Sequence, residues 1–183
     1  LEPLSCCIRA IRRAGFNYNE NNEKFSALVI GLGSIGLLML KGLRAFNVQA
    51  FGFDINEERM KIALDDGFSF DNNKKYDVIF LTAGNSKAID SALKSVIDGG
   101  KIIVFSSVND DTKGFSNNEI YYRELSIISS YSPHPADLKL SSELLNGKKV
   151  VVSDLSTHYS LDNLALAIDD SFKNRIFKAY IEI

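Results

Sequence analysis

Tryptophan is absent from the 183 residues, and cysteine is confined to one adjacent pair, Cys6 and Cys7. Neighbouring cysteines cannot staple distant parts of a fold, which excludes a disulfide scaffold and leads us to expect reduced thiols in a cytoplasmic protein. Histidine is almost as scarce. His134 and His158 stand far apart with no partner pattern around them, so both read as structural rather than as ligands or proton shuttles. There is no excess of charge of either sign. With 21 basic against 23 acidic side chains and a net charge of -2, a nucleic-acid or membrane-surface partner is not expected. No apolar run is long enough to cross a bilayer, and the N-terminus has no signal-peptide pattern. Internal repeats are missing too, and the asparagine-rich stretch from Asn17 to Lys24 reads as a connecting loop. What remains, 45% hydrophobic and 24% charged, is long enough for one well-formed core.

What the chain does have is a glycine-rich turn. Leu28 to Ile30 form a short apolar run of strand type. It leads directly into Gly31-Leu32-Gly33-Ser34-Ile35-Gly36, and a helical apolar pattern continues to Phe46. In a strand–turn–helix of this kind the first glycine permits the bend. The second lets a pyrophosphate approach the backbone, and the third lets helix and strand pack closely. The helix N-terminus offers unpaired N–H groups and partial positive charge to the phosphates. Asp54 follows 18 residues after Gly36, at the end of a second strand, Val48 to Phe53. A carboxylate there accepts from ribose hydroxyls and repels a 2′-phosphate, so the expected ligand is NAD rather than NADP.

The rest of the chain alternates. Pro3 to Ala14 is an amphipathic helix with Leu4, Ile8 and Ile11 on one face and Arg9, Arg12 and Arg13 on a solvated one. Helices are expected at Asn56 to Asp66 and Ser86 to Ile97. Strands are expected at Asp77 to Leu81, Lys101 to Phe105 and Leu125 to Ser129, with a shorter one at Phe68 to Phe70 and Gly99-Gly100 as a helix stop. Ser116 to Tyr122 is ambiguous. This pattern predicts an α/β fold, a doubly wound parallel sheet of about six strands with helices on both faces. The loops Gly31 to Gly36, Thr82 to Asn85, Ser106 to Val108 and Ser129 to Ser132 should then ring one crevice at the carboxyl ends of the strands. The last third is read as a helix from Ala136 to Leu145, a short strand from Lys149 to Val152, a helix from Leu161 to Phe172 begun by His158, and a final strand from Phe177 to Ile183. The expected division is 1–24, an N-terminal helix and connecting loop; 25–135, the nucleotide-binding domain; and 136–183, a C-terminal helix–strand appendage.

Glu2-Pro3-Leu4-Ser5, the turn at Gly31 to Gly36, Asp54 to Arg59, Gly99 to Ile102, Ser129 to Ser132 and Thr157 to Leu161 together resemble the C-terminal half of a zinc-dependent medium-chain alcohol or polyol dehydrogenase of the sorbitol- and threonine-dehydrogenase type. The resemblance covers nearly the whole chain. Members of that family are about twice as long and carry an N-terminal GroES-like domain with most of the zinc ligands. The resemblance therefore implies a Rossmann-type NAD-binding fragment, inactive alone, whose residues 136–183 pack back on the catalytic domain.

Carried over by position, it implies that the amides of Ser34 and Ile35 hold the pyrophosphate and that Arg59 lies beside Asp54 at the ribose. Thr82, Ala83 and Gly84, with Ser106, Ser107 and Val108, would flank adenine and nicotinamide. Ser106 and Ser129 stand where relatives often have glycine, near the nicotinamide. Lys178 takes the place of a basic residue that approaches the phosphates. Glu2 matches a carboxylate near, and in some members on, the zinc; alone it cannot hold the metal.

No catalytic residue is assigned to this chain. The implied reaction is hydride transfer from a secondary alcohol to NAD+, with a small-molecule alcohol as substrate and a homodimer or homotetramer as the assembly. Two rival readings are a zinc-free quinone or enoyl reductase of the same superfamily and a non-enzymatic NAD-sensing regulatory domain. Asp54 and Glu2 speak against the first, and the helix ahead of the glycine turn against the second.

Overall fold

Ser-Ala-Leu-Val-Ile is apolar on both faces, and it forms the central strand β1 (Ser26–Ile30) with every residue buried. Burial on both faces is what a parallel strand between two helical layers requires. The structure is a computed structural model describing residues 1–108, 114–173 and 175–183. Four more strands join β1: β2 (Gln49–Phe53), β3 (Tyr76–Leu81), β4 (Val96–Val104) and β5 (Ser126–Ser129). They form one parallel sheet in the order β2-β1-β3-β4-β5. Because β2 lies on one side of β1 and β3 on the other, the winding reverses between β1 and β3 and opens a crevice there.

Side chains alternate across the sheet and supply two cores. Ala27 and Val29 face α1 (Glu2–Arg13) and α2 (Ser34–Ala45), packing with Leu4, Ile8, Leu40 and Phe80. Leu28 and Ile30 face the opposite way, toward Ile89 and Ala92 of α4 (Ser86–Ser95). α3 (Glu57–Asp65) follows β2, and α5 (Asn117–Tyr122) precedes β5. The arginine face of α1 is partly committed: Arg12 Nη1 reaches Asp137 Oδ1 at 2.7 Å, joining α1 to α6 (Pro135–Asn146). Lys41, buried on α2, meets Asp66 at 2.9 Å and Asp154 at 2.8 Å. Leu144, Val150 and Leu155 enter the same core as α1, so the C-terminal segment is anchored by packing as well as by charge.

Several local expectations change. The sheet has five strands, and Phe68 to Phe70 contributes only a bridge from Ser69 to Phe51. Lys149 to Val152 forms no strand, because Lys149 N–H and Val150 N–H turn back to the Leu144 carbonyl at the end of α6. β4 begins at Val96 and runs through Gly99-Gly100, where a register shift against β3 absorbs the extra residues and Gly99 takes φ +73°. The ambiguous Ser116 to Tyr122 stretch is a helix capped by Ser116, whose side chain accepts from Glu119 N–H.

His158 does not begin a helix. It lies in β6 (Thr157–Ser160), which pairs in parallel with β7 (Ala179–Glu182) beside α7 (Leu164–Phe172). The apolar face of α1 is covered, with Leu4, Ile8 and Ile11 buried, whereas that of α7 is exposed. Among the described residues no helix is long and apolar enough to cross a membrane.

Candidate functional site

All five strands of the sheet end on the same side, and the chain leaves four of them with a final backbone bond to a neighbour. Gly31 N–H donates to Phe53 O, Thr82 to Ile30, Phe105 to Leu81 and Ser130 to Val104, at 2.8 to 3.0 Å. The four sequence-predicted turns therefore stand in a row along one edge.

At the winding reversal this edge opens into a cavity of about 570 Å³, within the range of small-molecule and cofactor sites. Gly31, Gly33, Asp54, Arg59, Thr82 and Ala83 line it. Gly31 takes φ +99°, and the Thr82 hydroxyl donates to its carbonyl at 2.6 Å. That carbonyl faces Gly36 so closely that a Cβ on Gly36 would lie 1.8 Å from it. The close packing of α2 on β1 thus depends on the missing side chain.

Gly33 is different, because a Cβ there would have nothing within 4 Å. The space over the turn is open, as a pyrophosphate requires. Gly33 is also the N-cap of α2 and no side chain caps it, so the first-turn amides, including those of Ser34 and Ile35, keep their donors for an anion.

Asp54 is fixed from three sides. Oδ2 accepts from Leu32 N–H at 2.6 Å, Oδ1 accepts from Asn56 N–H at 2.9 Å, and Arg59 Nη1 lies 3.7 Å from Oδ2. A carboxylate has about four acceptor positions, so this one clamps the glycine turn and still has capacity for hydroxyl donors. Its own N–H donates to Met60 Sδ at 3.1 Å. The residues present fit an adenosine diphosphate moiety: a backbone cradle, an uncapped helix and a held carboxylate at the end of β2.

The remaining site residues are more scattered. Ser34, Ile35 and Lys178 line a second cavity of about 260 Å³, on the α1 side of the first turn of α2. Gly84 lines neither cavity and serves as a spacer; a Cβ there would lie 1.9 Å from Ser107 O. Ser106 donates weakly to Leu81 O at 3.5 Å, and Ser107, Val108 and Ser129 are exposed further along the same edge.

Glu2 lines neither cavity. It accepts from the Cys6 thiol at 3.0 Å. Burial, helped by Glu2, pushes the Cys6 pKa up to about 12, and burial raises that of Cys7 as well. Among the described residues no three histidine, cysteine or acidic side chains are grouped to hold a metal. His134 caps α6, with Nδ1 accepting from Ala136 N–H, and His158 Nδ1 lies 2.7 Å from Glu182.

Ile55, Ser86, Lys87 and Ser91 also line this cavity, and none of them drew a site role from the sequence. The available signal was Asn85, which caps α4 by accepting from Ala88 N–H and so places the first turn of that helix against the crevice.

No protein-family model matches the chain. It is similar to sorbitol dehydrogenase of Bacillus subtilis (strain 168), 23% identical, with 99% of this chain and 55% of that protein covered. A sorbitol dehydrogenase of Arabidopsis thaliana is 28% identical over 86% of this chain and 47% of its own length. Among solved structures, acetophenone reductase from Geotrichum candidum in complex with NAD matches 98% of this chain and 53% of its own, at a TM-score of 0.82 and 18% identity. The fold is therefore of the Rossmann type, and the sequence similarity to the sorbitol dehydrogenases runs over most of the chain. The chain spans about half the length of the curated relatives it matches.

Proposed function

We propose that this chain, similar over nearly its whole length to one half of the sorbitol dehydrogenases, is the NAD-binding half of a zinc-dependent alcohol or polyol dehydrogenase. The carrying observation is the joint between Asp54 and the glycine turn, where one carboxylate holds Leu32 N–H beside an open Gly33 and an uncapped α2. Gly31, Gly33 and Gly36 shape the backbone, and the Ser34 and Ile35 amides hold the pyrophosphate, with Lys178 approaching from the α1 side. Asp54 accepts from the adenosine ribose, and Arg59 steadies that carboxylate. Thr82, Ala83 and Gly84 flank the adenine side. Ser106, Ser107, Val108 and Ser129 carry the nicotinamide end along the strand edge.

The chemistry these groups supply when bound is Lewis-acid activation of an alcohol by zinc and hydride acceptance by NAD+. Glu2 contributes at most one ligand or a neighbour to that zinc, and the other ligands belong to the partnering half. Residues 25–135 form the NAD domain, 1–24 lead into it, and 136–183 face the catalytic domain. A small-molecule secondary alcohol is the substrate, in a cytoplasmic homodimer or homotetramer without nucleic-acid or membrane partners.

The test is titration of the purified chain with NADH and with NADPH, followed by nicotinamide fluorescence free of tryptophan emission. Saturable NADH binding at least tenfold tighter than NADPH binding is expected. A preference for NADPH overturns the role given to Asp54.

A further inference from the structure

Only two methionines occur, Met39 and Met60, and their surroundings are opposite. Met39 is fully buried in the core beneath α2. Met60 is partly exposed in the first turns of α3, beside the crevice, where its thioether is the acceptor for Asp54 N–H. The sulfur therefore holds the backbone of the residue whose carboxylate holds the glycine turn through Leu32 and starts α3 through Asn56. A change at one sulfur reaches both ends of the proposed dinucleotide cradle through two hydrogen bonds.

We propose that Met60 is an oxidation site through which hydroperoxides lower the affinity of this domain for its dinucleotide. The inference rests on the NAD-binding reading of the crevice. In the reaction a sulfur lone pair attacks one peroxide oxygen and the S–O bond forms as the O–O bond breaks. The proton on the transferred oxygen passes to the departing one, which leaves as water or an alcohol. Sulfur is oxidised by two electrons and the peroxide is reduced by two.

The product is a bulkier, polar sulfoxide where the thioether packs against the core edge and meets Asp54 N–H. The new oxygen is a stronger acceptor than sulfur, so Asp54 N–H re-pairs with it in place of the 3.1 Å contact to sulfur, and Asp54 shifts with the end of β2. The two cysteines do not compete effectively. Cys7 is buried, the Cys6 thiol is pushed up to about 12, and it is the thiolate that reacts.

The experiment treats the folded chain with limiting hydrogen peroxide, maps the sulfoxide by peptide mass spectrometry, and titrates NADH before and after. Oxidation at Met60 ahead of Met39 is expected, with about a tenfold rise in the NADH dissociation constant. Methionine sulfoxide reductase should reverse it. Met60→Leu, close in volume and without sulfur, should make NADH binding indifferent to peroxide, whereas Met39→Leu should leave the sensitivity intact.

Preferential oxidation of Met39, or Met60 sulfoxide with unchanged NADH affinity, overturns the proposal. If the untreated chain binds no NADH, the dinucleotide reading fails by itself. The coupling is then read from the amide resonances of Leu32 and Asp54, which must shift on oxidation of the wild type and stay fixed in Met60→Leu; unshifted resonances overturn it there too.

Discussion

Gly33 and Gly36 are three residues apart in one turn, and an added methyl group separates their jobs. At Gly36 it would meet the Gly31 carbonyl at 1.8 Å, against backbone that Thr82 also holds. Gly36→Ala should therefore push α2 off β1 and lower stability by about 3 kcal/mol, read from denaturant midpoints. At Gly33 the methyl meets nothing, and φ of -70° suits any residue. Gly33→Ala should cost less than about 1 kcal/mol in stability, yet weaken NADH binding tenfold or more by occupying the space over the helix N-terminus. If both variants lose stability equally, the open cradle is not there.

Asp54→Asn tests the third member of the site. Loss of the charged acceptor should weaken NADH about ten- to a hundredfold in fluorescence titration, and removing its repulsion should narrow the gap to NADPH. These three residues were legible because turn glycines and a strand-end acid carry their chemistry in their spacing. Lys178 was named only through the family resemblance, and Met60 was not named at all, because nothing in its spacing says that its thioether accepts from Asp54 N–H.

Elements that bury one defined face behaved as their periodicity says, and those with weak faces did not. β1 and β3 are mostly apolar and lie inside the sheet, while α1 keeps its stripe of Leu4, Ile8 and Ile11 against the core. Thr157 to Ser160 is too polar to announce a strand, and its pairing with β7 depends on a segment some twenty residues away. Lys149 to Val152 has strand composition, but the α6 terminus takes the Lys149 and Val150 amides instead.

The joint between α1 and α6 gives an element-scale test. Asp137 is wholly buried; it accepts from His134 N–H in the α6 capping box and from Arg12 at 2.7 Å. Removing it breaks a cap and leaves Arg12 without its partner. Arg12 is 39% exposed, which lowers the expected loss below that of a fully buried pair, to about 2 kcal/mol for Asp137→Ala. In a chain of this size that corresponds to a fall of about 4–8 °C in melting temperature. Asp137→Asn, which keeps an acceptor for the cap, should fall between the two.

At the scale of the whole molecule, apolar surface is distributed unevenly. Leu161, Leu164, Leu166, Ile168 and Phe172 are all exposed on or beside α7, Phe172 by 84%, and only Ala167 of that helix is buried. A helix with this composition is stable when both of its sides are packed, yet among the described residues the main packing against this one comes from the β6–β7 pair and the turn that precedes α7. Contiguous apolar surface of this kind drives association in water. A second open surface exists at β5, which pairs with β4 on one edge only and so offers unpaired backbone groups to another chain.

The two routes are separable by light scattering across a concentration series. The isolated chain should exceed a single chain's mass as concentration rises. Leu166→Glu combined with Phe172→Glu should return it toward the monomer if α7 is responsible, and Ile127→Pro, which removes an N–H facing away from β4 on the β5 edge, should then have little effect. The reverse pattern would assign association to the sheet edge. A monomer at every concentration would mean that α7 is protected in solution without any partner, contrary to its exposure. Covering this face is the service the proposed catalytic half would perform, so adding that half as a separate chain should suppress association in the wild type and leave the double glutamate variant unchanged.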